Sequence, residues 1–322
     1  MRKVLLTNKY NSHTLELVKK MLLDNYQLLI LEESNEQLLI RKVVDADYLL
    51  AGGRLKITKE VLDNAPNLKM IQRSGVGLDS LDLYAIKDKG IPLYVNQGVN
   101  AQSVAEHTLL LILSCLRRLP LIDRKTKSGI WDKHGQGLQT SELHGKTVGI
   151  IGMGNIAKTL VTLLKPFGVR ILYNNIVREP EQHEVENNMS FVSLDELLAG
   201  SDVVSVNCAL TDQTKHLICS ETIGKMKDGA ILVNTARGGI VDTNAVADAL
   251  SNGKLAFAGL DVHEQEPIPQ DYILNKLDNV ILTPHIGGVT ADSFRAMMRA
   301  AFRNIEKFDK GELDEIEQYR YL

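Results

Sequence analysis

The sequence predicts an α/β fold made of two doubly wound parallel-sheet domains, of the Rossmann or flavodoxin-like kind, with a cleft between them. The first observation is that short apolar runs typical of buried strands alternate with helical patterns along the chain. The second is length, since 322 residues fit two domains of ordinary size better than one hydrophobic core. The strand-like runs also suit two sheets better than one very large sheet.

The predicted strands fall into two groups along the chain. The first group covers residues 4–7, 27–31, 48–51, 68–71 and 92–95. The second group covers residues 147–151, 170–173, 203–206, 230–233, 257–260 and 280–283. The final stretch, from residue 290 onward, has a helical pattern and ends without a further strand. We expect it to fold back on the first group and to make that domain discontinuous.

The most apolar stretch, residues 108–116, belongs to a predicted helix. Ser103 and Glu106 have the spacing of a capping box, which predicts a helix that begins at Ser103 and runs to the break at Pro120. The apolar stretch is too short to cross a bilayer, for which about 20 residues are needed. We expect a buried helix here, and we expect Trp131, which follows it, to be a packing anchor.

Composition excludes several classes of protein. The net charge is −3 and no basic run stands out, which argues against nucleic acid or an anionic membrane as the main partner. The first residues resemble a strand and lack the apolar stretch of a signal peptide. Cys115, Cys208 and Cys219 form neither a CxxC pair nor a set with metal-ligand spacing. These features predict a cytoplasmic protein of a reducing compartment, without a metal site.

Three polar residues late in the chain each follow a predicted strand: Arg237, Glu266 and His285. In open α/β sheets, ligands lie just beyond the carboxyl ends of the strands. Arginine binds a carboxylate through two parallel charge-assisted bonds. Histidine exchanges a proton with a carbonyl oxygen near neutral pH, and a nearby carboxylate orients the ring and favours its charged form. The set predicts an active site for a substrate with both a carboxylate and a carbonyl.

A glycine-rich loop follows the strand at residues 147–151. Its sequence is the G-x-G-x-x-A variant of the dinucleotide fingerprint, with Gly152 for the tight turn and Gly154 for close approach of the pyrophosphate. The helix that begins at Asn155 and Ile156 would offer its N–H groups and partial positive charge to the phosphates. The loop predicts that the cofactor is NAD or NADP.

The next strand ends where dinucleotide-binding folds usually place an acid on the adenosine ribose. This chain has Asn174 at that position. Without a carboxylate, the 2′-phosphate of NADP is not repelled, and Arg178 is close enough in sequence to reach it. Alternatively, Asn174 binds the ribose of NAD and Arg178 lies in solvent. The sequence leaves the choice between NAD and NADP open.

Taken together, the motifs resemble the D-isomer-specific 2-hydroxyacid dehydrogenases, the family of glyoxylate/hydroxypyruvate reductases and phosphoglycerate dehydrogenases. The resemblance covers essentially the whole chain, and the order and spacing of the motifs agree as well as their content. Besides the fingerprint, it is carried by residues 73–79, 95–107, 234–239, 259–267 and 283–288.

The resemblance implies a substrate-binding domain of residues 1–99 and 289–322 and an NAD(P)-binding Rossmann domain of residues 100–288. It implies that Arg237, Glu266 and His285 are the catalytic residues, with His285 as the proton donor in the reductive direction. Family members are usually dimers through the nucleotide domain, so it also implies a homodimer.

The resemblance further implies residues in contact with cofactor and substrate. Asp261 would contact the nicotinamide carboxamide, and the other implied cofactor contacts are at Cys208, Thr235, Ala236 and Gly287. The substrate carboxylate would be held by the backbone amides of Gly75, Val76 and Gly77 with Arg237, and Asn100 would lie near the substrate together with His285.

The implied reaction is hydride transfer between NAD(P)H and a small 2-oxo acid or D-2-hydroxy acid, of the glyoxylate/hydroxypyruvate type. An alternative is D-3-phosphoglycerate dehydrogenase, but such enzymes tend to carry an arginine at the position of Gly52, although Arg54 is nearby. A further alternative is a non-catalytic, dinucleotide-sensing protein like the corepressors of this fold. Formate dehydrogenases use Gln at the position of Glu266, so that activity is disfavoured.

Overall fold

The computed structural model describes residues 1–53 and 55–322. The chain divides into two compact units, one of Met1–Asn100 with Ala291–Leu322 and the other of Ala101–Thr290. Each unit is built around one parallel sheet, as the alternation of apolar runs and helical patterns predicted.

The first unit contains a five-stranded sheet in the order β2-β1-β3-β4-β5. Its strands are β1 (Arg2–Leu6), β2 (Tyr26–Ile30), β3 (Tyr48–Ala51), β4 (Met70–Arg73) and β5 (Leu93–Val95). Its first helices are α1 (Ser12–Lys19), α2 (Glu36–Val43), α3 (Lys59–Asp63) and α4 (Leu83–Asp88). Each helix follows a residue whose side chain accepts a backbone N–H, and these caps are Asn11, Asn35, Thr58 and Asp82. The strand order is that of flavodoxin-like folds.

The second unit contains a seven-stranded sheet in the order β12-β11-β10-β9-β6-β7-β8. Its strands are β6 (Thr147–Ile151), β7 (Arg170–Asn174), β8 (Met189–Phe191), β9 (Val203–Val206), β10 (Ala230–Asn234), β11 (Leu255–Leu260) and β12 (Val280–Leu282). Its helices are α5 (Ala101–Leu116), α6 (Leu119–Lys127), α7 (Lys133–Gly137), α8 (Asn155–Leu164), α9 (Glu181–Glu186), α10 (Leu194–Gly200), α11 (Ser220–Lys225) and α12 (Thr243–Ser251). Read from β8, this is the Rossmann order with one added strand, and the order reverses between β6 and β9.

The chain returns to the first unit with helix α13 (Ala291–Lys310). Met298, Phe302 and Ile305 of this helix are buried against the same face of the sheet as Val4 and Leu50. Beyond the helix, the backbone N–H of Tyr321 donates to the carbonyl of Leu93 at 2.7 Å. The last residues of the chain therefore complete the core that the first residues begin.

Two details of the helices differ from the prediction. Helix α5 begins at Ala101, and Ser103 does not cap it, because its Oγ donates to the carbonyl of Gly287 at 2.7 Å. Pro120 does not end a helix but lies in the first turn of α6, where a missing N–H costs no intrahelical bond. The chain turns between the two helices at Arg118, which has a φ of 49°.

Trp131 is not a packing anchor within this chain, since 86% of it is exposed. The prediction rested on residue type alone, and large aromatic side chains are also common at surfaces that associate with other chains. Strand β8 was not predicted, because its three residues carry only one fully buried side chain and give no apolar run.

Candidate active site

The loops after β10, β11 and β12 form one hydrogen-bonded edge at the carboxyl end of the second sheet. These strands are neighbours and parallel. The backbone N–H of Asp261 donates to the carbonyl of Asn234 at 3.0 Å, and the N–H of His285 donates to the carbonyl of Asp261 at 2.7 Å. The fold thereby brings the loops that carry Arg237, Glu266 and His285 to one edge.

His285 and Glu266 form a direct pair. Nδ1 of His285 lies 2.8 Å from Oε2 of Glu266, and both side chains are partly exposed. A carboxylate only accepts hydrogen bonds, so Nδ1 is the donor. Nε2 has no hydrogen-bond partner within the described residues, which leaves it as the ring atom that can exchange a proton with a ligand.

The second oxygen of Glu266 is also engaged, since Oε1 accepts the backbone N–H of His263 at 3.0 Å. Burial alone would raise the pKa of Glu266, but the hydrogen bonds from His285 and from the backbone of His263 outweigh it and lower that pKa. Glu266 is therefore ionised at neutral pH and orients the imidazole of His285.

The backbone of His285 has a φ of 55°, a left-handed conformation that few residues other than glycine adopt. Such conformations persist where the surrounding structure enforces them, and they concentrate at functional sites. Asp261 holds the backbone around His285 in this conformation through several hydrogen bonds. Its Oδ1 accepts from Thr283 Oγ1 at 2.6 Å and from Ile286 N at 2.9 Å, and its Oδ2 accepts from Gly287 N at 2.8 Å.

His107 of helix α5 extends this network. Its Nε2 lies 3.0 Å from Thr283 Oγ1 and 3.4 Å from Asp261 Oδ1. The hydroxyl of Thr283 donates to Asp261, so it accepts from His107. Burial would raise the pKa of Asp261, but the hydrogen bonds from His107, Thr283 and the two backbone amides together lower it well below the usual range. His107 thus supports the loop that carries His285.

We expect Asp261→Asn to lower the free energy of unfolding by on the order of 3 kcal/mol at neutral pH, because an amide cannot accept the same set of charge-assisted bonds. A depressed folded-state pKa stabilises the protein above the unfolded-state pKa, about 4, and this contribution is lost as the pH falls further. The difference between the variant and the wild type should therefore shrink in acid.

Urea unfolding at about pH 7 and at about pH 3 measures this difference. The control is Asp248→Asn, which removes an exposed carboxylate from α12 of the same unit. A loss of stability that is equal at both pH values would show that the charge of Asp261 is not what holds the loop.

His263 is buried and makes structural contacts. Its Nε2 lies 3.0 Å from the carbonyl oxygen of Thr283, which can only accept, so Nε2 carries the hydrogen. Its ring also contacts Tyr272 edge-on, with centroids 5.7 Å apart. His263 therefore joins the loop after β11 to the end of β12, and it is not placed to exchange protons with a ligand.

Arg237 leaves β10 on a tightly shaped turn. The buried side chain of Asn234 accepts from the N–H of Ala236 at 3.0 Å and donates to the carbonyl of Arg237 at 2.9 Å. A Cβ atom at Gly238 would lie 1.9 Å from the backbone carbon of His263, so this position accepts only glycine. The turn after β10 is thereby pressed against the loop that carries Glu266. The guanidinium of Arg237 donates to the carbonyl of Ala236 at 2.6 Å.

The fingerprint loop lies at the switch point between β6 and β9. Gly152 has a φ of 91°, and a Cβ there would lie 2.7 Å from the backbone N and Cα of Cys208. At Gly154, by contrast, no heavy atom of the described residues lies within 4 Å of where a Cβ would be. No side chain caps helix α8, which begins with Asn155 and Ile156. Open space beside uncapped helical N–H groups fits the pyrophosphate of a dinucleotide.

The remaining predicted cofactor contacts of this unit lie in the loops that follow the carboxyl ends of β9, β10 and β12. Thr235 is buried, with its Oγ1 2.8 Å from Oγ1 of Thr108 on α5. Ala236 is partly buried, and Gly287 is packed beside Asp261. Burial raises the pKa of the Cys208 thiol, which argues against nucleophilic chemistry at that sulfur.

At the end of β7, Arg178 is largely exposed, and its guanidinium is paired with Glu184. Its Nε and Nη2 donate to the two carboxylate oxygens of Glu184, at 3.0 and 2.8 Å. Asn174 donates from Nδ2 to the carbonyl of Val192 at 2.9 Å.

The predicted substrate contacts Gly75, Val76, Gly77 and Asn100 lie in the first unit. The glycine-containing loop follows β4 and is braced by the buried Arg73, whose Nε donates to the carbonyl of Gly77 at 2.6 Å and whose Nη1 donates to the carbonyl of Gly52. Asn100 is partly buried and immediately precedes α5.

Gly52, the position considered for a phosphate-binding arginine, is packed against Asn8. A Cβ atom there would lie 1.8 Å from Oδ1 of Asn8, so the side chain of Asn8 occupies the space that a larger residue at position 52 would need. Arg54, the other residue considered for a phosphate, lies outside the described residues.

Sequence reasoning missed the supporting functions of Arg73, Asn234 and Asp261. Each is a buried polar residue at or directly after the end of an apolar strand. That pattern was available in the sequence, because a buried polar residue at such a position must find partners in the adjoining loops.

No group of three or more His, Cys, Asp or Glu side chains is arranged to hold a metal ion among residues 1–53 and 55–322. Over the same residues, no helix combines the length and the apolar character that crossing a membrane requires.

Comparison with known proteins gives one consistent family. Residues 109–287 match the model of the D-isomer specific 2-hydroxyacid dehydrogenase NAD binding domain. A glyoxylate reductase of Thermofilum pendens is 44% identical over 87% of this chain and 83% of that protein. A hydroxypyruvate reductase of Thermotoga maritima is 39% identical over 90% of this chain and 93% of that protein.

A solved structure with the same fold is the D-lactate dehydrogenase of Aquifex aeolicus in complex with NAD and lactic acid. It superposes with a TM-score of 0.87 at 31% identity, over 99% of this chain and 98% of that one. The family model, the full-length relatives and the fold agree with the motifs. The chain therefore belongs to the D-isomer-specific 2-hydroxyacid dehydrogenase family, whose members are NAD(P)-dependent oxidoreductases acting on CH–OH groups.

Proposed function

We propose that this enzyme transfers a hydride between NAD(P)H and a small unphosphorylated 2-oxo acid of the glyoxylate or hydroxypyruvate type. The product is the 2-hydroxy acid, with the D configuration where carbon 2 becomes a stereocentre. The observation that carries the proposal is the pair of His285 and Glu266, in which Nδ1 is held at 2.8 Å and Nε2 has no partner within the described residues. The glyoxylate and hydroxypyruvate reductases among its relatives support this substrate class.

In this proposal, His285 acts as the general acid in reduction. Its Nε2 proton passes to the carbonyl oxygen of the substrate as the carbonyl carbon gains the hydride, and the reverse reaction returns the proton to Nε2. Glu266 stays ionised, holds Nδ1–H and stabilises the imidazolium. When bound, the nicotinamide supplies the hydride chemistry.

Arg237 and the backbone amides of Gly75, Val76 and Gly77 would hold the substrate carboxylate, with Asn100 nearby. The fork of the guanidinium suits this task because it matches both carboxylate oxygens. The space at Gly154 and the N–H groups of Asn155 and Ile156 would hold the pyrophosphate.

The other proposed cofactor contacts are Gly152, Asn174, Cys208, Thr235, Ala236, Asp261 and Gly287. Arg178 would join them only if its pair with Glu184 opened. We assign the substrate to residues 1–99 and 289–322 and the cofactor to residues 100–288. Support for this assignment comes from the division of the chain into compact units near residues 100 and 290.

The test is the loss of NADH or NADPH absorbance over a panel of glyoxylate, hydroxypyruvate, pyruvate, longer 2-oxo acids and phosphohydroxypyruvate. Fast turnover of a small unphosphorylated acid is the expected result. Turnover of phosphohydroxypyruvate alone would make the protein a phosphoglycerate dehydrogenase, which the lack of an arginine at position 52 disfavours. Tight binding of the cofactor without turnover of any acid would favour a dinucleotide sensor.

We also propose a homodimer formed through the nucleotide-binding unit. Helices α6 and α7 contain no buried residue. The segment they form carries large apolar side chains at its surface, including Trp131, 86% exposed, and Leu138, 84% exposed. Large exposed apolar side chains grouped on one segment are typical of interfaces between subunits. We propose that a second copy of this chain covers this segment.

The dimer predicts a molar mass of twice 35.7 kDa in light scattering after size-exclusion chromatography. Trp131→Asp combined with Leu138→Asp should shift the protein to the monomer, because two buried charges would oppose association. The matched control is Tyr84→Asp, which alters an aromatic residue that is 83% exposed on α4 of the other unit. A wild type that elutes as a monomer would contradict the proposal.

The proposed location is the cytoplasm, with neither nucleic acid nor a membrane as a partner. The support is the modest net charge of −3, the absence of a basic run from the sequence and three cysteines with no disulfide pattern.

A further inference from the structure

The loop after β7 is attached directly to the fingerprint loop. The backbone N–H of Gly152 donates to the carbonyl of Asn174 at 2.8 Å, and the N–H of Met153 lies 3.3 Å from Oδ1 of Asn175. In dinucleotide-binding folds, the adenosine ribose lies at this strand end. Arg178 follows a few residues later, at the place from which a guanidinium would contact a 2′-phosphate.

Arg178 is held by a buried carboxylate. Glu184, on helix α9, is 5% exposed and accepts both donors of the Arg178 fork. Tyr173, a fully buried residue of β7, fixes the pair, because its hydroxyl donates to Glu184 Oε1 at 2.6 Å and accepts from Glu179 N at 2.8 Å. Only the carboxylate of this bidentate pair is buried, since the side chain of Arg178 is 60% exposed. The fixed carboxylate is therefore what holds the guanidinium in place.

The surroundings add negative charge. Lys158 of α8 is paired with Glu179 at 2.9 Å. Residues 178–186 contain four glutamates and a single arginine. A 2′-phosphate carries close to two negative charges. There it would face glutamates, and cations that are already paired with carboxylates.

The 2′-hydroxyl of NAD, by contrast, needs only a neutral partner. Asn174 uses Nδ2 for the carbonyl of Val192, and its Oδ1 has no donor within the described residues. An amide oxygen at this strand end can accept a hydrogen bond from a ribose hydroxyl, as an acid does in other NAD-binding proteins.

We propose that Glu184 sets the cofactor preference of this enzyme toward NAD by keeping Arg178 from the adenosine ribose. This inference rests on the proposed dinucleotide-binding function and adds to it a specificity-determining residue that does not itself contact the cofactor. Removing the charge of Glu184 while keeping its shape should release Arg178 for a 2′-phosphate.

Isothermal titration calorimetry with NADH and NADPH tests the proposal without relying on turnover. The wild type should bind NADH at least about tenfold more tightly than NADPH. In Glu184→Gln, the Kd of NADPH should fall by about tenfold, since about one charge-assisted bond becomes available, while the Kd of NADH stays within about twofold.

Two variants separate the release of Arg178 from a general change of charge. Glu186→Gln removes an exposed carboxylate of the same helix and should leave the ratio of the two Kd values unchanged. Adding Arg178→Gln to Glu184→Gln should abolish the gain in NADPH binding. Equal shifts in Glu184→Gln and Glu186→Gln, or a gain that survives the loss of Arg178, would overturn the proposal.

Thermal unfolding shows whether Glu184→Gln is folded. If it is not, the single variant Arg178→Gln decides, because a withheld arginine predicts a Kd of NADPH within about threefold of the wild type, and a loss of tenfold or more overturns the proposal. A wild type that binds NADH but prefers NADPH overturns this inference alone. A wild type that binds neither nucleotide overturns the proposed function and this inference with it.

Discussion

His285→Asn is expected to lower kcat for reduction of the preferred 2-oxo acid by about a thousandfold, because a positioned general acid typically contributes 10²- to 10⁴-fold. Asparagine suits the test because it tolerates the left-handed backbone seen at His285, with a φ of 55°, better than most residues do. Its amide cannot supply a proton to the forming alkoxide. The loss should therefore report on proton transfer and not on a disturbed turn.

The measurement is steady-state reduction of the oxo acid together with calorimetric titration of NADH. The Kd of NADH should stay within about twofold of the wild type, since the fingerprint loop lies at other strand ends. His13→Asn, the same substitution at an exposed position of α1, is the control. Turnover near the wild-type rate in His285→Asn would remove the role of general acid from this residue.

Arg237→Lys is expected to raise the KM for the oxo acid by about 10- to 100-fold. Lysine keeps the charge but replaces a planar fork by a single ammonium group, which loses about one charge-assisted hydrogen bond to the carboxylate. A smaller fall in kcat should accompany it, because the substrate is then held less well against the proton donor.

Initial rates over a wide range of oxo acid, at saturating NADH, separate the effects on KM and kcat. The matched control is Arg299→Lys, at an exposed position of α13, which should leave both parameters unchanged. If Arg237→Lys behaved like this control, the carboxylate would have to be bound by other groups, and the backbone amides at Gly75 and Gly77 would be the first to examine.

The architecture was predictable because its signals are local. Strands such as β6 and β9 are short, mostly apolar runs, and their predicted bounds match the structure. The need for glycine in the fingerprint was equally predictable. Gly152 has a positive φ, and the backbone of Cys208 leaves no room for a Cβ there. Strand β8 was not predicted, because its three residues are too few to show an apolar pattern.

The side-chain partners of individual polar residues could not be predicted from the sequence. Ser103 has capping-box spacing, yet its hydroxyl bonds to Gly287, which is far away in the chain. The partner of Arg178 lay only six residues away, but several glutamates compete for it in that segment, and only the burial of Glu184 beside Tyr173 decides between them. The pairing of His285 with Glu266 could be anticipated only because both follow neighbouring strands.

The contribution of both chain ends to one core has a consequence for biosynthesis. While the ribosome is still adding residues, the face of the first sheet that includes Val4 and Leu50 lacks Met298, Phe302 and Ile305 of α13. The segment from Ala101 to Thr290 is complete before α13 is made and can fold first. The amino-terminal strands therefore keep an uncovered apolar face until α13 has been made, and we expect nascent chains to be prone to aggregation for that time.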